Sequence, residues 1–264
     1  MGRTISVLGC GWLGEPLADF LMEKNWQVKG ATTTSSKLWA LKMKGIEAYQ
    51  IKLGEVTLPD GLSDFLNSEY LVVNIPPSKG MREGALYLPF IKAIEDSSVK
   101  KVILVSTTSV YPNFHGEVIE GMADTTKPLV GIEQVFLDNS SFETTVIRFG
   151  GLIGYDRQPC RFIQSAYKVM GPETPVNMIH RDDCVGIIET ILEKEAWGEI
   201  YNGVADTHPT KREFYAAACK SIDEEPPLFD ELHTGSFKIV SNAKLKKELG
   251  YNFIHPDLLK LYAQ

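Results

Sequence analysis

"VLGCGWLGEPLA", residues Val7–Ala18, is the stretch on which the fold turns. An apolar run, Thr4–Leu8, stops at Gly9, and Gly9, Gly11 and Gly14 then follow as G-x-G-x-x-G before an amphipathic segment. In a strand–turn–helix unit this spacing has a physical purpose. Gly9 permits the tight turn, Gly11 lets backbone approach a pyrophosphate, and Gly14 lets the helix pack closely on the strand. The helix start adds unpaired N–H groups and a partial positive charge. Dinucleotide binding is therefore expected here, with Trp12 and Leu13 joining the three glycines as contacts. The plain alternative is a glycine-rich connection that binds nothing.

The second strand should end in a residue that reads the adenosine ribose, about 20 residues further on. Here it ends "VKGATTTSSKLWALK" (Val28–Lys42), with no Asp or Glu near Thr32. A carboxylate there would repel a 2′-phosphate. The hydroxyls of Thr33, Thr34, Ser35 and Ser36, with Lys37, suit that phosphate through charge-assisted hydrogen bonds. The expected cofactor is NADP rather than NAD, and Thr32, Thr33, Ser35 and Lys37 are its expected adenosine-end contacts. A polar strand–helix turn with a solvated lysine is the alternative.

Further strands are expected at Thr4–Leu8, Gln27–Thr32, Glu47–Ile51, Tyr70–Ile75, Lys101–Thr107, Thr144–Phe149 and Glu199–Gly203. Between them, Leu86, Phe90, Ala93 and Ile94, and later Leu129, Ile132, Phe136 and Leu137, recur at helical spacing. Near-continuous apolar strands alternating with helices imply a mostly parallel sheet covered on both faces, a doubly wound α/β fold of Rossmann type. After Gly154 the rhythm breaks. Thr210 and Glu213 have capping-box spacing, a helix starts near Asp182, and "SNAKLKKELG" pairs an N-cap at Ser241 with a stop at Gly250. The expected organisation is a dinucleotide-binding domain, 1–154, and a smaller helix-rich lobe, 155–264, of which about 176–204 returns to the sheet.

The chain has 264 residues, 44% apolar and 23% charged, enough for a sizeable core. A net charge of −7 argues against nucleic acid or an anionic membrane surface as partner. No stretch reads as a secretory or membrane-spanning segment. Cys10, Cys160, Cys184 and Cys219 lie far apart without C-x-x-C spacing, so free thiols are expected, with no disulfide and no metal site, in a cytoplasmic protein.

The segment "KKVILVSTTSVYPNFH" (Lys100–His115) brings a family into view. "VSTTSVYP" resembles the fifth-strand end of the extended short-chain dehydrogenase/reductases, the NAD(P)-dependent epimerase/dehydratase group. "VIRFGGLIG" (Val146–Gly154) resembles their sixth strand, and "NMIHRDDCVGII" (Asn177–Ile188) their Ile-His-x-x-Asp helix start. "YNGVADTHPTKREFY" and "VSNAKLKKELGY" match the group's C-terminal pattern, so the likeness runs nearly the whole length. It implies an NAD(P)-dependent oxidoreductase or epimerase/dehydratase acting on a small carbonyl, alcohol or sugar-type substrate. Some members pair as homodimers.

The resemblance implies that Thr107 holds the reacting oxygen. It implies that Ser106, Thr107, Ile75, Pro76, Pro77, Phe149 and Gly150 line the cofactor, with Arg148 near its nicotinamide end. His180 and Asp183 match the group's structural pair, and by the same resemblance Arg157, Arg161 and Arg181 are the cations best placed to reach an anionic substrate, with solvated surface arginines as the equal alternative. The group's Tyr-x-x-x-Lys does not carry over. Counting back eight from Glu133 puts Thr125 at the tyrosine and Leu129 at the lysine, and none of the ten tyrosines has a lysine four residues later. Tyr111 is the first-choice replacement acid/base, with His115 four residues on or Lys127 from the loop as the helper a phenol of pKa about 10 needs; a packing or substrate-rim residue is the plainer reading of it. An ordered water is the other source of the proton. Loss of the pair also admits a different class, a catalytically inactive NAD(P)-binding regulator.

Overall fold

A computed structural model describes residues 2–54, 58–75, 87–163 and 168–263. Pro76 and Pro77, and Leu86 of the expected helix pattern, lie outside the described residues.

Five strands lead the chain: β1 (Thr4–Leu8), β2 (Gln27–Thr32), β3 (Glu47–Gln50), β4 (Tyr70–Val73) and β5 (Lys101–Thr107). With Glu143–Phe149 and Ile200–Gly203 they form a seven-stranded sheet. Its order is Ile200–Gly203, Glu143–Phe149, β5, β4, β1, β2, β3. The pairings β1–β2, β1–β4, β2–β3 and β4–β5 are all parallel. The order steps outward in both directions from β1, so the chain reverses its winding beside the glycine loop. This is the doubly wound Rossmann-type fold, and the carboxyl ends of its strands are where such sheets bind ligands.

The chain divides into two compact units that interleave in sequence. The first comprises Met1–Ser106, Asp124–Ile147 and Ile188–Ile200; the second comprises Thr107–Ala123, Arg148–Ile187 and Tyr201–Gln264. In the first, Leu8, Val73, Val102, Leu104 and Val146 from the strands pack with Phe90, Ile94, Ile132 and Phe136 from helices Leu88–Glu95 and Pro128–Leu137. Helix α1 (Gly14–Glu23) buries Leu17, Ala18 and Leu21 at one-turn spacing, and α2 (Ser35–Met43) buries only Leu41. The β1 interior tolerates Ser6 because its hydroxyl donates to the Phe65 carbonyl at 2.5 Å.

The second unit is built from short pieces around Ile153, Val176, Ala205, Phe214 and Leu258. Its parallel two-stranded pairs are Gly151–Ile153 with Met178–His180, Val169–Met170 with Phe229–Asp230, and Glu117–Val118 with Ile239–Val240. Thr210 and Glu213 close the expected capping box on helix Lys211–Lys220, a device contributing about 1 kcal/mol. Helix Ala243–Leu249 ends at Gly250 in the left-handed region as expected, but Asn242 rather than Ser241 is its N-cap residue.

The expectation of four free thiols is also corrected. Cys10 and Cys184 are free and buried, but Cys160 and Cys219 form a disulfide. Helices Pro159–Phe162 and Lys211–Lys220 bring their Cα atoms to 4.9 Å, inside the range a disulfide needs. The two residues are 59 apart in sequence, so no local spacing betrays the pair.

Candidate cofactor-binding site

The glycine loop is held from below by backbone. Gly9 and Cys10 N–H both donate to the Ala31 carbonyl, at 3.2 and 2.7 Å, which ties the loop to the end of β2. Gly9 lies at φ +102°, and a Cβ there would sit 2.2 Å from the Asn74 carbonyl oxygen. A Cβ at Gly14 would sit 2.2 Å from the Gly9 carbonyl oxygen. Both glycines are therefore demanded by the protein's own packing. Gly11 is different: a Cβ there meets nothing within 4 Å, and its φ is not positive. Nothing in the fold requires glycine at that position.

Helix α1 follows at Gly14 with Leu13 at the N-cap and no side-chain cap. Glu15 lies in the first turn, and Lys44 pairs with it and with Asp19, each at 2.7 Å, so one lysine offsets part of the charge of the two carboxylates. Cys10 is buried, and burial pushes its thiol up to about 12; it stays neutral and inert beside the loop. Gly30 makes room for it, since a Cβ there would lie 2.9 Å from the Cys10 sulfur.

At the end of β2, Thr32 is buried, and its hydroxyl accepts the Thr34 N–H at 3.2 Å. Thr33, Ser35 and Lys37 are exposed. Helix α2 starts at Ser35 with no side-chain cap and no acidic residue in its first turn. The turn thus presents hydroxyls, a lysine and a positive helix end together. Ile75 stands half-buried after β4, with its Cγ2 3.3 Å from the position of a Gly9 Cβ.

Ser106 is buried at the end of β5 and donates to Glu133 Oε1. That bond places Glu133 on the sheet-facing side of helix Pro128–Leu137. On the same helix Leu129 packs against the apolar core of the first unit. The position at which the family resemblance puts a lysine is thus a core contact. Thr125 lies in the preceding turn, where Asp124 accepts the Thr126 N–H at 3.0 Å.

In the second unit, Thr107 is half-buried and its hydroxyl accepts the Ser109 N–H at 3.2 Å, which fixes the oxygen and leaves its proton to donate. Tyr111 is 1% exposed. Its phenol donates to Asn202 Oδ1 at 2.7 Å and accepts from Arg148 Nη1 at 2.8 Å. Arg148 also donates to the Glu120 carbonyl at 2.7 Å. Burial raises the Tyr111 pKa, and the opposing pull of Arg148 does not reverse it. Phe149 is buried with its ring against Gly203, where a Cβ would come within 2.4 Å, and a Cβ at Gly150 would lie 2.6 Å from the Asn177 carbonyl oxygen.

The start of helix Arg181–Lys194 carries a cluster the sequence reading did not assemble. Asp183 is fully buried and accepts from Tyr251 Oη, Ile254 N and His255 N, at 3.0, 2.7 and 3.0 Å. It therefore anchors the tail, in line with a structural role. Asp182 Oδ2 lies 3.3 Å from His180 Nδ1 and 3.2 Å from His255 Nε2, and its Oδ1 accepts from Tyr155 Oη at 2.8 Å. Arg181 stacks on Tyr155, 3.8 Å from the ring centre. His255 lies far from Asp182 in sequence and has no local signature, and neither has Asn202. Asn74 did have a signal, as a lone polar residue straight after an apolar strand.

These features can be set beside known proteins. No protein-family model matches the chain. Protein YeeZ of Escherichia coli K12 is 30% identical over 269 residues, spanning 97% of this chain and 98% of its own. Among solved structures, UDP-glucuronic acid 4-epimerase from Bacillus cereus, in complex with NAD, superposes with a TM-score of 0.77 at 16% identity, over 98% of this chain and 95% of its own. Human epimerase family protein SDR39U1 (isoform 2), with NADPH, gives 0.69 at 17% identity, over 99% of each. The chain belongs to the same family as protein YeeZ, and its fold is the one shared by these epimerases.

Proposed function

We propose that this protein binds a nicotinamide dinucleotide on the Gly9–Gly14 loop, prefers NADP(H), and transfers hydride to or from a small carbonyl or alcohol carbon. The observation that carries the reading is the contrast among the glycines. Gly9 and Gly14 are explained by contacts under 3 Å with the protein itself, whereas Gly11 faces open space. A glycine with no packing reason, at the position where backbone must approach a pyrophosphate, fits a ligand and not a purely structural turn. The residues present therefore suit the cofactor. YeeZ covers nearly the full length without adding an activity, and the structural neighbours named above were solved with NAD or NADPH.

When bound, the nicotinamide ring supplies or accepts the hydride. The chain's own residues do the rest. Backbone N–H groups at the start of α1 would meet the pyrophosphate, Thr33, Ser35 and Lys37 would meet the 2′-phosphate, and Ile75 and Ser106 would line the cofactor. Thr107, ending β5, would hydrogen-bond the substrate oxygen through its hydroxyl. Tyr111, neutral and doubly hydrogen-bonded, organises the second unit around Arg148 and Asn202, and an ordered water would supply the proton when the carbonyl is reduced and take it up when the alcohol is oxidised. Arg157, Arg161 and Arg181 give the second unit cations for an anionic substrate.

A second reading keeps the cofactor and drops the chemistry. Its support is specific: Leu129 packs into the core where the family's lysine would stand. A cofactor-binding regulator would bind dinucleotide tightly and exchange no hydride with any carbonyl.

Calorimetric titration of the stripped protein with NADPH, NADH, NADP and NAD tests both. The account expects NADPH to bind at least about tenfold tighter than NADH, a difference of about 1.4 kcal/mol. Absence of binding by all four overturns both readings.

A further inference from the structure

We infer that His180, Asp182 and His255 form a binding site for a divalent transition metal of the zinc class, with three protein ligands and an open fourth position. The inference does not depend on the dinucleotide reading, because every residue in it lies in the second unit. The three side chains can offer one ligand atom each, all within 4.8 Å of one another. Asp182 Oδ2 is at the centre, 3.3 Å from His180 Nδ1 and 3.2 Å from His255 Nε2. Zinc bonds of about 2.0–2.2 Å in tetrahedral geometry put neighbouring ligand atoms about 3.3–3.6 Å apart. Two edges of the triangle lie at the short end of that range, and the third lies within 4.8 Å.

The surroundings orient the ligands. Gly154, at φ +118°, leaves room for the His180 ring: a Cβ there would lie 2.3 Å from Nε2. The ring is thus packed on its Nε2 side and turns Nδ1 toward Asp182, where it accepts the Asp182 backbone N–H at 3.3 Å, a hydrogen bond that a bound ion replaces. Asp183 spends both carboxylate oxygens on Tyr251 and on the backbone at Ile254 and His255, which sets the His255 ring 4.0 Å from that of His180. Asp182, one residue earlier, keeps Oδ2 for the two imidazoles while Tyr155 holds Oδ1. Ligands fixed by hydrogen bonds from an outer layer are the usual pattern of a metal centre. His180 is mostly buried, whereas Asp182 and His255 keep 32% and 27% side-chain exposure, so an ion has a path and a water can complete the coordination. Two imidazoles and one carboxylate suit Zn²⁺, Co²⁺ or Ni²⁺ better than Mg²⁺ or Ca²⁺, which take oxygen ligands.

The test uses the full chain after chelator treatment, titrated with Zn²⁺ by calorimetry and with Co²⁺ by visible absorption. The expected result is one ion per chain and a cobalt d–d band. His255→Gln should weaken binding about 100-fold, and Tyr155→Phe, which removes only an outer hydrogen bond, about tenfold. Unfolding midpoints of the metal-free variants should match the wild type, and if His255→Gln does not fold, the exposed Tyr155→Phe carries the comparison. No one-to-one binding, or binding that neither variant weakens, overturns the proposal.

Discussion

Asn74 and Gly9 hold each other from both sides: the Asn74 amide donates to the Gly9 carbonyl at 3.2 Å, and the Asn74 carbonyl fills the space a Gly9 Cβ would need. The end of β4 thereby sets the shape of the loop that follows β1. Sheet order explains why these two meet, since β4 is the neighbour of β1 opposite β2. The loop's floor is a property of the parallel sheet, and its open side, at Gly11, has no protein atom where a Cβ would reach.

Gly9→Ala should therefore act on stability. It combines a left-handed backbone with a 2.2 Å approach to backbone oxygen, which no rotamer relieves. The expected loss is about 2–4 kcal/mol, read from urea unfolding. A variant as stable as the wild type would contradict the described loop.

Removing the phenol of Tyr111 tests its place in the second unit. Tyr111→Phe leaves Asn202 Oδ1 and one Arg148 contact without their buried partner. Such losses cost about 1–3 kcal/mol, and the urea midpoint should fall with the slope unchanged. Unaltered stability would mean that the phenol is free for chemistry.

Lys37→Gln separates the two cofactors. It removes a cation from the α2 turn while leaving the pyrophosphate loop intact. NADPH affinity should drop about 10- to 100-fold and NADH affinity should hold, by calorimetry. Equal losses for both would place Lys37 outside the 2′-phosphate contact.

His208 gives a pH dependence with a definite sign. Burial lowers its pKa below the usual 6.5, and the hydrogen bond to the Val176 carbonyl only partly offsets that. The unfolded chain then binds the proton more readily than the folded one. The His208 contribution to stability is fully present above about pH 6.5, and it is lost as the pH falls from there through the lowered folded pKa. His208→Gln should flatten the decline of the urea midpoint over that interval. An unchanged slope would assign the acid sensitivity to other groups.

Much of this architecture was legible in the residues. Apolar runs located all seven strands of the main sheet to within a residue or two at their ends; the central β1, β4 and β5 are largely buried and have little choice of composition, whereas the edge strand β3 buries none of its four residues. Glu133, the residue from which the eight-residue count back to Thr125 starts, is a buried glutamate bonded to Ser106. What escaped was every relationship made by distant segments. Cys160 with Cys219, Tyr111 with Asn202, and Asp182 with His255 are each brought together by packing that has no periodicity to reveal it. Gly11 was read from a motif, but the reason it matters, space without a protein neighbour, exists only in three dimensions.

The central claim is that the loop's open side receives a dinucleotide, and Gly11→Ala addresses it most directly. Its Cβ meets no protein atom within 4 Å, so the unfolding midpoint should equal or slightly exceed the wild type. NADPH titrated into the same preparation should bind at least about tenfold more weakly than to the wild type, because the methyl group stands where the pyrophosphate approaches. A variant that binds NADPH as tightly as the wild type would contradict the account.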